Sequence, residues 1–293
     1  MRYAAIDVGS NAVRLLIADI NQEGKEITYK KNTFIRVPLR LGDDAFIDKK
    51  IGERKADELV KTMTAFKLLM DVYKVSDYMA CATSAMREAE NGQEITKRIM
   101  EEGNLDLQIV EGQTEANIIY STHIAESLEL DKNYLYIDVG GGSTELSVFT
   151  KGKVEVSRSF SIGTVRMLDN ADTPEEWDQM NKWIKTNTRI YKNLIGIGTG
   201  GNINKLFRLS NQKEGSPLSF SVLNDMYLNL RSYSLKERIT LMKLNPDRAD
   251  VIVPASEIYL SVMKWASVKQ IYVPRVGMAD GIIQVLIDKN LKS

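Results

Sequence analysis

The sequence contains very few of the side chains on which metal and disulfide chemistry depends. Its 293 residues include one cysteine, Cys81, and one histidine, His123. A structural zinc site of cysteine and histidine needs several such ligands, and a disulfide needs two cysteines, so this chain can form neither within itself. His123 is the one histidine that a histidine-based mechanism could use. The lone thiol is typical of a reducing compartment, and we therefore expect a cytoplasmic protein.

Net charge and long hydrophobic runs are also lacking. The 39 Lys+Arg residues are balanced by 39 Asp+Glu residues, which argues against a partner held by bulk charge, such as nucleic acid. No uninterrupted apolar run approaches the roughly 20 residues of a membrane-spanning helix. The first residues, MRYAAIDVGSN, include an acidic residue and a glycine where a signal peptide has its apolar stretch. We therefore expect a soluble protein without a membrane or nucleic-acid partner.

An internal repeat is the most informative pattern that is present. Residues 3–11 read YAAIDVGSN, and residues 134–142 read YLYIDVGGG. In each copy an apolar run ends in Asp-Val-Gly, as expected for a buried strand that enters a tight turn. A second apolar run follows each copy, at residues 13–20 and 146–149. The sequence therefore predicts two duplicated domains that each open on a β-meander.

Helical patterns fill the rest of both halves. An apolar stripe predicts a helix over residues 53–74. Thr173 and Ser234 each begin a capping box that opens another helix. We expect Pro254 to kink or split the helical pattern around it, and a final helix over residues 278–291.

Strands followed by helices in each half predict an α/β protein of two lobes. No low-complexity linker separates the halves. We place the first lobe at residues 1–121 and the second at residues 122–293, with the last helix able to pack back on the first lobe.

Three glycine-rich turns carry the strongest functional signal. They are GSN at residues 9–11, GGGST at residues 140–144 and GIGTGGN at residues 196–202. Glycine lets the backbone approach a ligand closely and turn its N–H groups toward an anion. One such turn alone is best explained as an ordinary hairpin turn. Two copies in matching context and a third loop favour phosphate binding.

Asp7, Asp138 and Glu145 are carboxylates at or beside these turns. Oxygen ligands next to a phosphate suit Mg²⁺, which keeps water molecules and bridges to phosphate oxygens. Either aspartate alone could instead cap its own turn through a side-chain hydrogen bond to the backbone. The pair, at matching places in two repeats, favours a role toward a metal or a water.

Glu115 follows a glycine turn at the predicted start of a helix that runs to about residue 127. A carboxylate there, near the junction of the lobes, could reach a water and act as a general base, although the helix dipole alone also favours an acid in a first turn. Arg87 could donate to a phosphate or form a local surface ion pair. We interpret His123 as a packed or partly exposed residue and Cys81 as a buried structural thiol.

Four motifs resemble those of one known family. They are AIDVGSN at residues 5–11, ATSAMREAEN at 82–91, EGQTEA at 111–116 and IDVGGGSTEL at 137–146. By these motifs the whole chain is similar to the exopolyphosphatase and guanosine pentaphosphate phosphohydrolase family, within the actin, sugar kinase and heat-shock ATPase superfamily. The resemblance, to the short two-domain form, implies an α/β fold of two duplicated actin-like (ribonuclease H-like) lobes with an interlobe cleft.

The resemblance also implies an activity and the residues that perform it. The reaction would be Mg²⁺-dependent (or other divalent cation-dependent) hydrolysis of the terminal phosphoanhydride of inorganic polyphosphate, which releases orthophosphate. The nearest alternative is the hydrolysis of guanosine pentaphosphate, and further ones are a small-molecule kinase and a non-catalytic polyphosphate or nucleotide binder. The family also suggests a homodimer. Glu115 would be the general base, with Arg87 beside it, and Asp138 and Glu145 would hold the metal. The phosphates would be bound by Asp7, Gly9, Ser10, Asn11, Thr83, Ser84, Gly140, Gly141, Gly142, Ser143, Thr144, Gly200 and Gly201.

Overall fold

Strands and helices alternate along the chain, as the α/β prediction requires. The structure is a computed structural model, and none of the helices it describes is long and apolar enough to cross a membrane. The described residues are 1–24, 26–121, 129–274 and 276–291.

The secondary structure elements are numbered in chain order. The strands are β1 (Arg2–Val8), β2 (Val13–Glu23), β3 (Glu26–Val37), β4 (Asp77–Ala82), β5 (Gln108–Ile109), β6 (Asn133–Val139), β7 (Thr144–Thr150), β8 (Lys153–Phe160), β9 (Ile195–Thr199), β10 (Leu218–Ser219) and β11 (Gln270–Tyr272). The helices are α1 (Leu41–Ala45), α2 (Glu53–Val72), α3 (Ser84–Glu88), α4 (Gly92–Gly103), α5 (Gly112–Tyr120), α6 (Thr164–Leu168), α7 (Pro174–Thr188), α8 (Gly201–Leu209), α9 (Phe220–Ser232), α10 (Leu235–Thr240), α11 (Pro246–Ala249), α12 (Ile252–Trp265) and α13 (Met278–Leu291).

Two compact units divide the chain. One consists of Met1–Thr122 together with Met278–Ser293, and the other is His123–Gly277. We predicted lobes over residues 1–121 and 122–293, with the last helix able to pack on the first lobe. In the structure, α13 lies in the first unit, where it contacts α5 and the strands β1, β2 and β4.

β1 lies in the centre of the sheet of the first unit, whose strand order is β3-β2-β1-β4-β5. β2 pairs antiparallel with both β1 and β3, and these three strands form the predicted meander. β4 runs parallel to β1, and β5 runs parallel to β4. The carboxyl ends of these parallel strands meet at one edge of the sheet, where α/β proteins bind their ligands.

The sheet of the second unit repeats this plan, with the order β10-β11-β9-β6-β7-β8. β6, β7 and β8 form an antiparallel meander, while β9 runs parallel to β6. Val8 pairs with Val13 in the first unit, and Val139 pairs with Thr144 in the second, so each hairpin spans a turn of the same length. The predicted duplication and the α/β fold are confirmed.

Strand periodicity determines which face of the second sheet carries polar side chains. Leu135, Ile137 and Val139 of β6 belong to the hydrophobic core of this unit. Because successive side chains of a strand point to opposite faces, Asp138 lies on the face away from that core. The second glycine turn begins two residues after this aspartate, at Gly140.

The predicted helix boundaries are confirmed in part. α2 ends two residues before the predicted end at residue 74, and Ser234 forms its predicted capping box with Glu237. Thr173 caps α7. The predicted break of the helical pattern at Pro254 is wrong in position, because the pattern breaks earlier, between α11 and α12. Pro254 lies in the first turn of α12, where a missing N–H removes no helical hydrogen bond.

Candidate functional site

The first glycine turn is closed by its own backbone and fixed to α3. The amide N–H of Gly9 donates to the carbonyl of Ala12 at 3.2 Å, and a Cβ on Gly9 would lie 3.3 Å from the same oxygen. The hydroxyl oxygens of Ser10 and Ser84 lie 2.9 Å apart, and both side chains are buried. The amide of Thr83 donates to the end of β1. The structure therefore brings two predicted phosphate-binding segments together, at the carboxyl ends of β1 and β4.

The carbonyl groups of this turn are bonded to the segment around the start of α1. The carbonyl of Ser10 accepts from the amide of Gly42 at 2.9 Å, and that of Asn11 accepts from the amide of Arg40 at 3.1 Å. The peptides are trans, so the C=O and N–H groups of each peptide point in opposite directions. The N–H groups of Asn11 and Ala12 therefore point away from α1, in an arrangement that suits an anion.

Asp7 is buried at the end of β1 and forms an ion pair with Arg14, its cross-strand neighbour on β2. Cys81 of β4 is its neighbour on the other side. Burial raises the pKa of the Cys81 thiol to about 12, and the charges of Asp7 and Glu115 add to the rise. The thiol therefore stays protonated near neutral pH, in agreement with a structural role. The carboxylates of Asp7 and Glu115 therefore both lie close enough to Cys81 for their charges to raise the pKa of its thiol.

Glu115 lies in the first turn of α5, as predicted. Its amide N–H donates to the carbonyl of Glu111 at 3.0 Å. Its carboxylate oxygen Oε2 is shielded from solvent, while the residue as a whole is partly exposed. A partly exposed carboxylate can contact a water, which is the first requirement of a general base. The predicted continuation of this helix to about residue 127, and His123 with it, lie outside the described residues.

The side chain of Arg87 contacts the two residues that lie between β5 and α5. Its Nη1 donates to the carbonyl of Val110 at 2.7 Å, and its Nε lies 3.9 Å from Oε2 of Glu111. The side chain of Glu111 is 81% exposed, so this ion pair is screened by water and weak. Arg87 thus has a fixed position together with donor capacity for an anion.

The last residues of the motif at 82–91 hold α3, which is part of the same motif, in its position. The side-chain amide of Asn91 donates to the carbonyl of Ile51 at 2.8 Å and accepts from its N–H at 3.0 Å. A Cβ on Gly92 would lie 2.1 Å from the carbonyl oxygen of Met86, so only glycine permits this packing of α4 on α3. The far end of the motif therefore positions Ser84 and Arg87 rather than contacting a ligand.

In the second unit, three successive carbonyls of the glycine turn are bonded to α6. Backbone N–H groups of this helix donate to the carbonyls of Gly140 and Gly141 at 3.0 and 2.8 Å, and Nε of Arg166 donates to the carbonyl of Gly142 at 2.9 Å. These peptides are also trans. The N–H groups of Gly141, Gly142 and Ser143 therefore point away from α6. Three adjacent N–H groups in a turn are typical of a phosphate-binding site.

Thr144 and Gly163 hold this turn against α6. The hydroxyl of Thr144, a fully buried residue, donates to the carbonyl of Ile162 at 2.6 Å. The predicted phosphate ligand Thr144 thus uses its hydroxyl within the protein. A Cβ on Gly163 would lie 2.4 Å from the carbonyl oxygen of Gly141, so glycine is required for the close contact.

Asp138 and Glu145 are direct cross-strand neighbours on β6 and β7, on the same face of the sheet. The hydroxyl of Ser159 donates to Oε1 of Glu145 at 2.8 Å, and Glu145 is buried. Burial raises the pKa values of Tyr136 and Tyr259 far above the ordinary tyrosine value, and the charges of Asp138 and Glu145 raise them further. The pair therefore creates a region of negative potential beside the second glycine turn.

This carboxylate pair fits a hard divalent cation. Its donors are oxygens, and two like charges side by side on one sheet face are stabilised by a cation between them. The described part of the chain holds no cluster of three or more His, Cys, Asp or Glu side chains that could enclose a metal. Asp138 and Glu145 would hold Mg²⁺ through their carboxylate oxygens, and two carboxylates are a usual protein share of a Mg²⁺ site beside phosphates.

The third glycine loop joins the same site through Gly200. This residue has φ +99°, and a Cβ on it would lie 2.9 Å from Oδ1 of Asp138, so two independent reasons require glycine. A Cβ on Gly201 would lie 2.9 Å from a guanidinium nitrogen of Arg248, whose Nη1 donates to Oδ1 of Asn202 at 2.6 Å. Arg248 therefore lies on the first residues of α8.

Arg248 is a candidate that sequence reasoning missed. The guanidinium of Arg248 and the positive end of α8 lie side by side, and both favour an anion. The pKa of Lys205 is lowered by burial and by the charges of Arg208 and Arg248, so this region is positively charged. No signal in the sequence connects Arg248 to a loop more than forty residues earlier.

The two repeats differ at one decisive position. Arg14 faces Asp7 across β1 and β2, and Glu145 faces Asp138 at the same place in the second repeat. In the first unit the aspartate is neutralised by an arginine, whereas in the second a further carboxylate doubles the negative charge. At this cross-strand position the second unit therefore carries two negative charges, as a cation site requires, whereas the first unit carries a neutral pair.

The predicted site residues form two groups, one in each unit. The first contains Glu115, Arg87, Asp7 and the turn at residues 9–12, and the second contains Asp138, Glu145 and two glycine loops. The cleft in which these groups would face each other stays a prediction.

Fold and site together define a duplicated α/β protein that has in each half a glycine turn whose N–H groups are oriented as in phosphate-binding sites. Residues 32–290 match the family model described as the Ppx/GppA phosphatase family, and the chain therefore belongs to that family. The family predicted from four motifs is confirmed.

Individual relatives agree with this assignment. The chain is 25% identical over 288 residues to the bifunctional 3-dehydroquinate synthase/phosphatase of Fusobacterium nucleatum, covering 89% of the chain and 43% of that protein. It is 30% identical over 167 residues to exopolyphosphatase 1 of Mycobacterium bovis, covering 57% and 48% of the two proteins. The matches thus span less than half the length of these relatives.

A solved structure matches over the full length. The crystal structure of the Ppx/GppA family member of Aquifex aeolicus superposes with a TM-score of 0.79 at 25% identity, covering 100% of this chain and 99% of that one. The predicted α/β fold of two duplicated lobes is thereby confirmed as the fold of this family.

Proposed function

We propose that the protein hydrolyses the terminal phosphoanhydride of inorganic polyphosphate and releases orthophosphate. The observation that carries this proposal is the orientation of the two glycine turns, whose carbonyls are bonded within each unit so that their N–H groups point outward. Membership of the Ppx/GppA phosphatase family and the similarity to a protein named exopolyphosphatase 1 support it.

In the proposed reaction Glu115 is the general base. Its carboxylate accepts a proton from a water molecule, whose oxygen forms a bond to the terminal phosphorus. The bridging P–O bond then breaks, and its electron pair leaves on the shortened chain. The N–H groups of the turn at residues 9–12 and the guanidinium of Arg87, which belong to the same unit as Glu115, bind the phosphate oxygens whose charge grows during this step.

Asp138 and Glu145 are the residues that would hold Mg²⁺. When bound, such an ion neutralises phosphate charge and polarises the phosphoryl oxygens. The protein supplies the oxygen ligands, and the hydrogen bond from Ser159 keeps the carboxylate of Glu145 in place.

Guanosine pentaphosphate is the alternative substrate, because it presents the same terminal anhydride to the same groups. A small-molecule kinase would need a second acceptor pocket, and a non-catalytic binder would have no use for Glu115. From the resemblance we also propose a cytoplasmic homodimer. The buried free thiol of Cys81 is consistent with that compartment, and light scattering of the purified protein tests the dimer.

Orthophosphate release from polyphosphate, guanosine pentaphosphate and ATP, each with and without Mg²⁺, tests the proposed function. We expect Mg²⁺-dependent release from polyphosphate that is faster than release from ATP, because only polyphosphate offers a long series of phosphates to both turns. Binding of polyphosphate without release would contradict the proposal and indicate a binding protein. Phosphate transfer from ATP to an added acceptor would contradict it in favour of a kinase.

Replacing Arg248 with methionine is expected to raise KM for polyphosphate about tenfold with little change in kcat. One charge-assisted hydrogen bond to the substrate is lost, which corresponds to about 1.5 kcal/mol. Initial rates over a range of polyphosphate concentrations measure the change. Arg208→Met is the matched control, since it removes an equal charge from an exposed position on α8. Equal effects of both variants would show that only the overall charge matters.

A further inference from the structure

We propose that the start of α13 positions Glu115, with Gly281 and Asp280 as the positioning residues. This inference rests on the proposed function, in which Glu115 is the base. All the groups involved belong to the first unit.

Gly281 allows α13 to touch the backbone of α5. A Cβ on Gly281 would lie 2.0 Å from the carbonyl oxygen of Ile118 and 2.6 Å from its carbonyl carbon. Contacts this short do not occur between real atoms, so any other residue at this position must push the two helices apart. Gly281 and Ile118 are both buried, and the close packing of a protein interior resists such a shift.

Ile118 transmits this contact to the proposed base. It lies three residues after Glu115, on the next turn of the same short helix, so the two residues lie on neighbouring parts of one helix face. α5 has nine residues, and a helix this short moves as a unit because its turns share hydrogen bonds. A displacement at Ile118 therefore displaces the carboxylate of Glu115.

Asp280 fixes the start of α13 to the sheet. Its Oδ1 accepts from the hydroxyl of Tyr29 at 2.8 Å and lies 2.6 Å from Nζ of Lys31. Burial and the charge of Asp280 raise the pKa of Tyr29 above its ordinary value, so this phenol remains a donor. A carboxylate that is 5% exposed and bonded to two neighbours on β3 prevents the helix from turning about its axis. The face with Gly281 is thereby kept on α5.

The other end of α13 provides an internal comparison. Asn290 and Lys289 donate to Oδ2 of Asp77 at 2.8 and 3.3 Å. These contacts also tie α13 to the first unit, but they lie more than two turns from Gly281. Loosening this end lowers stability without displacing α5.

The test compares Gly281→Ala in two backgrounds. In the otherwise unchanged chain we expect kcat for orthophosphate release to fall about 100-fold, with KM within about threefold, since a displacement of about 1 Å of a catalytic group has an effect of this size. In the Glu115→Gln background the same substitution is expected to change the residual rate less than about twofold, because the base that it displaces is already absent.

Tyr29→Phe is the second variant, and it removes one hydroxyl without adding an atom. We expect kcat to fall about fivefold at unchanged KM. The controls are Asn290→Ala at the far end of α13 and Gly103→Ala, where a Cβ would meet Thr64 in the contact of α4 with α2. Both controls are expected to leave kcat within about twofold.

The outcomes separate the positioning proposal from the function on which it rests. Equal losses from Gly281→Ala in both backgrounds, or equal losses in the controls, would overturn the positioning role while leaving the function in place. Full activity of Glu115→Gln alone would instead overturn the proposed base. If Gly281→Ala does not fold, as judged by circular dichroism, an unchanged kcat in Tyr29→Phe is the result that contradicts the proposal.

Discussion

Replacing Glu115 with glutamine is expected to lower kcat for orthophosphate release from polyphosphate about 10³-fold. Glutamine has nearly the same shape but cannot accept a proton from water at neutral pH, so the variant loses general base catalysis, which contributes about 10²–10⁴-fold in enzymes. The phosphate-binding turns belong to other elements and remain intact. The dissociation constant of polyphosphate should therefore change little, which equilibrium binding measures separately from turnover.

The control for this variant is Glu101→Gln on α4, which makes the same chemical change at an exposed position of the same unit. We expect this control to have the same kcat and the same dissociation constant of polyphosphate as the unchanged protein. A parallel loss of binding and turnover in Glu115→Gln would assign Glu115 to substrate binding. An unaltered kcat would show that another group activates the water.

The location of Glu115 illustrates what the sequence could predict. The helix start at Gly112 is encoded locally, in a glycine turn that follows an apolar run, and the structure confirms it. The same holds for the two Asp-Val-Gly turns, because a buried strand and a tight turn are both short-range patterns. Burial of the Cys81 thiol also followed from its apolar neighbours.

Contacts between distant segments could not be predicted in this way. Arg248 reaches Gly201 only because α11 and α8 pack in the second unit, and Gly281 reaches Ile118 only because α13 belongs to the first unit. Neither residue has a neighbour in sequence that indicates its partner. The hydroxyl of Thr144 likewise donates to a residue distant in sequence, at the carbonyl of Ile162, and a role of Thr144 toward a phosphate stays a prediction.

The pairing of Asp7 with Arg14 changes the interpretation of the duplicated aspartates. Matching positions suggested matching roles, but a cross-strand neighbour decides the charge that each aspartate contributes. Beside Arg14, Asp7 forms a neutral pair, whereas beside Glu145, Asp138 forms a doubly negative one. The duplicated fold thus carries different charges at equivalent edges, and we expect a cation beside Asp138 rather than beside Asp7.

This difference leads to the second large effect, for Asp138→Asn. We expect kcat/KM at low Mg²⁺ concentration to fall about 10³-fold, because Lewis-acid stabilisation is worth several kcal/mol and one of its two carboxylate ligands is lost. Excess Mg²⁺ should recover part of the activity, since Glu145 remains. Titration of initial rates with Mg²⁺ measures both changes, and Asp131→Asn, at an exposed position just before β6, is the control.

Thermal unfolding distinguishes a metal ligand from a structural aspartate. Two adjacent carboxylates repel each other in the absence of a cation, so removing one charge should leave the Tm of the metal-free protein unchanged or higher. Mg²⁺ should raise the Tm of the unchanged protein and of Asp131→Asn, because a ligand that binds only the folded state stabilises it. The same addition should raise the Tm of Asp138→Asn less. A lower metal-free Tm in Asp138→Asn, with an unaltered response to Mg²⁺, would mean that Asp138 supports the Gly200 loop and holds no metal.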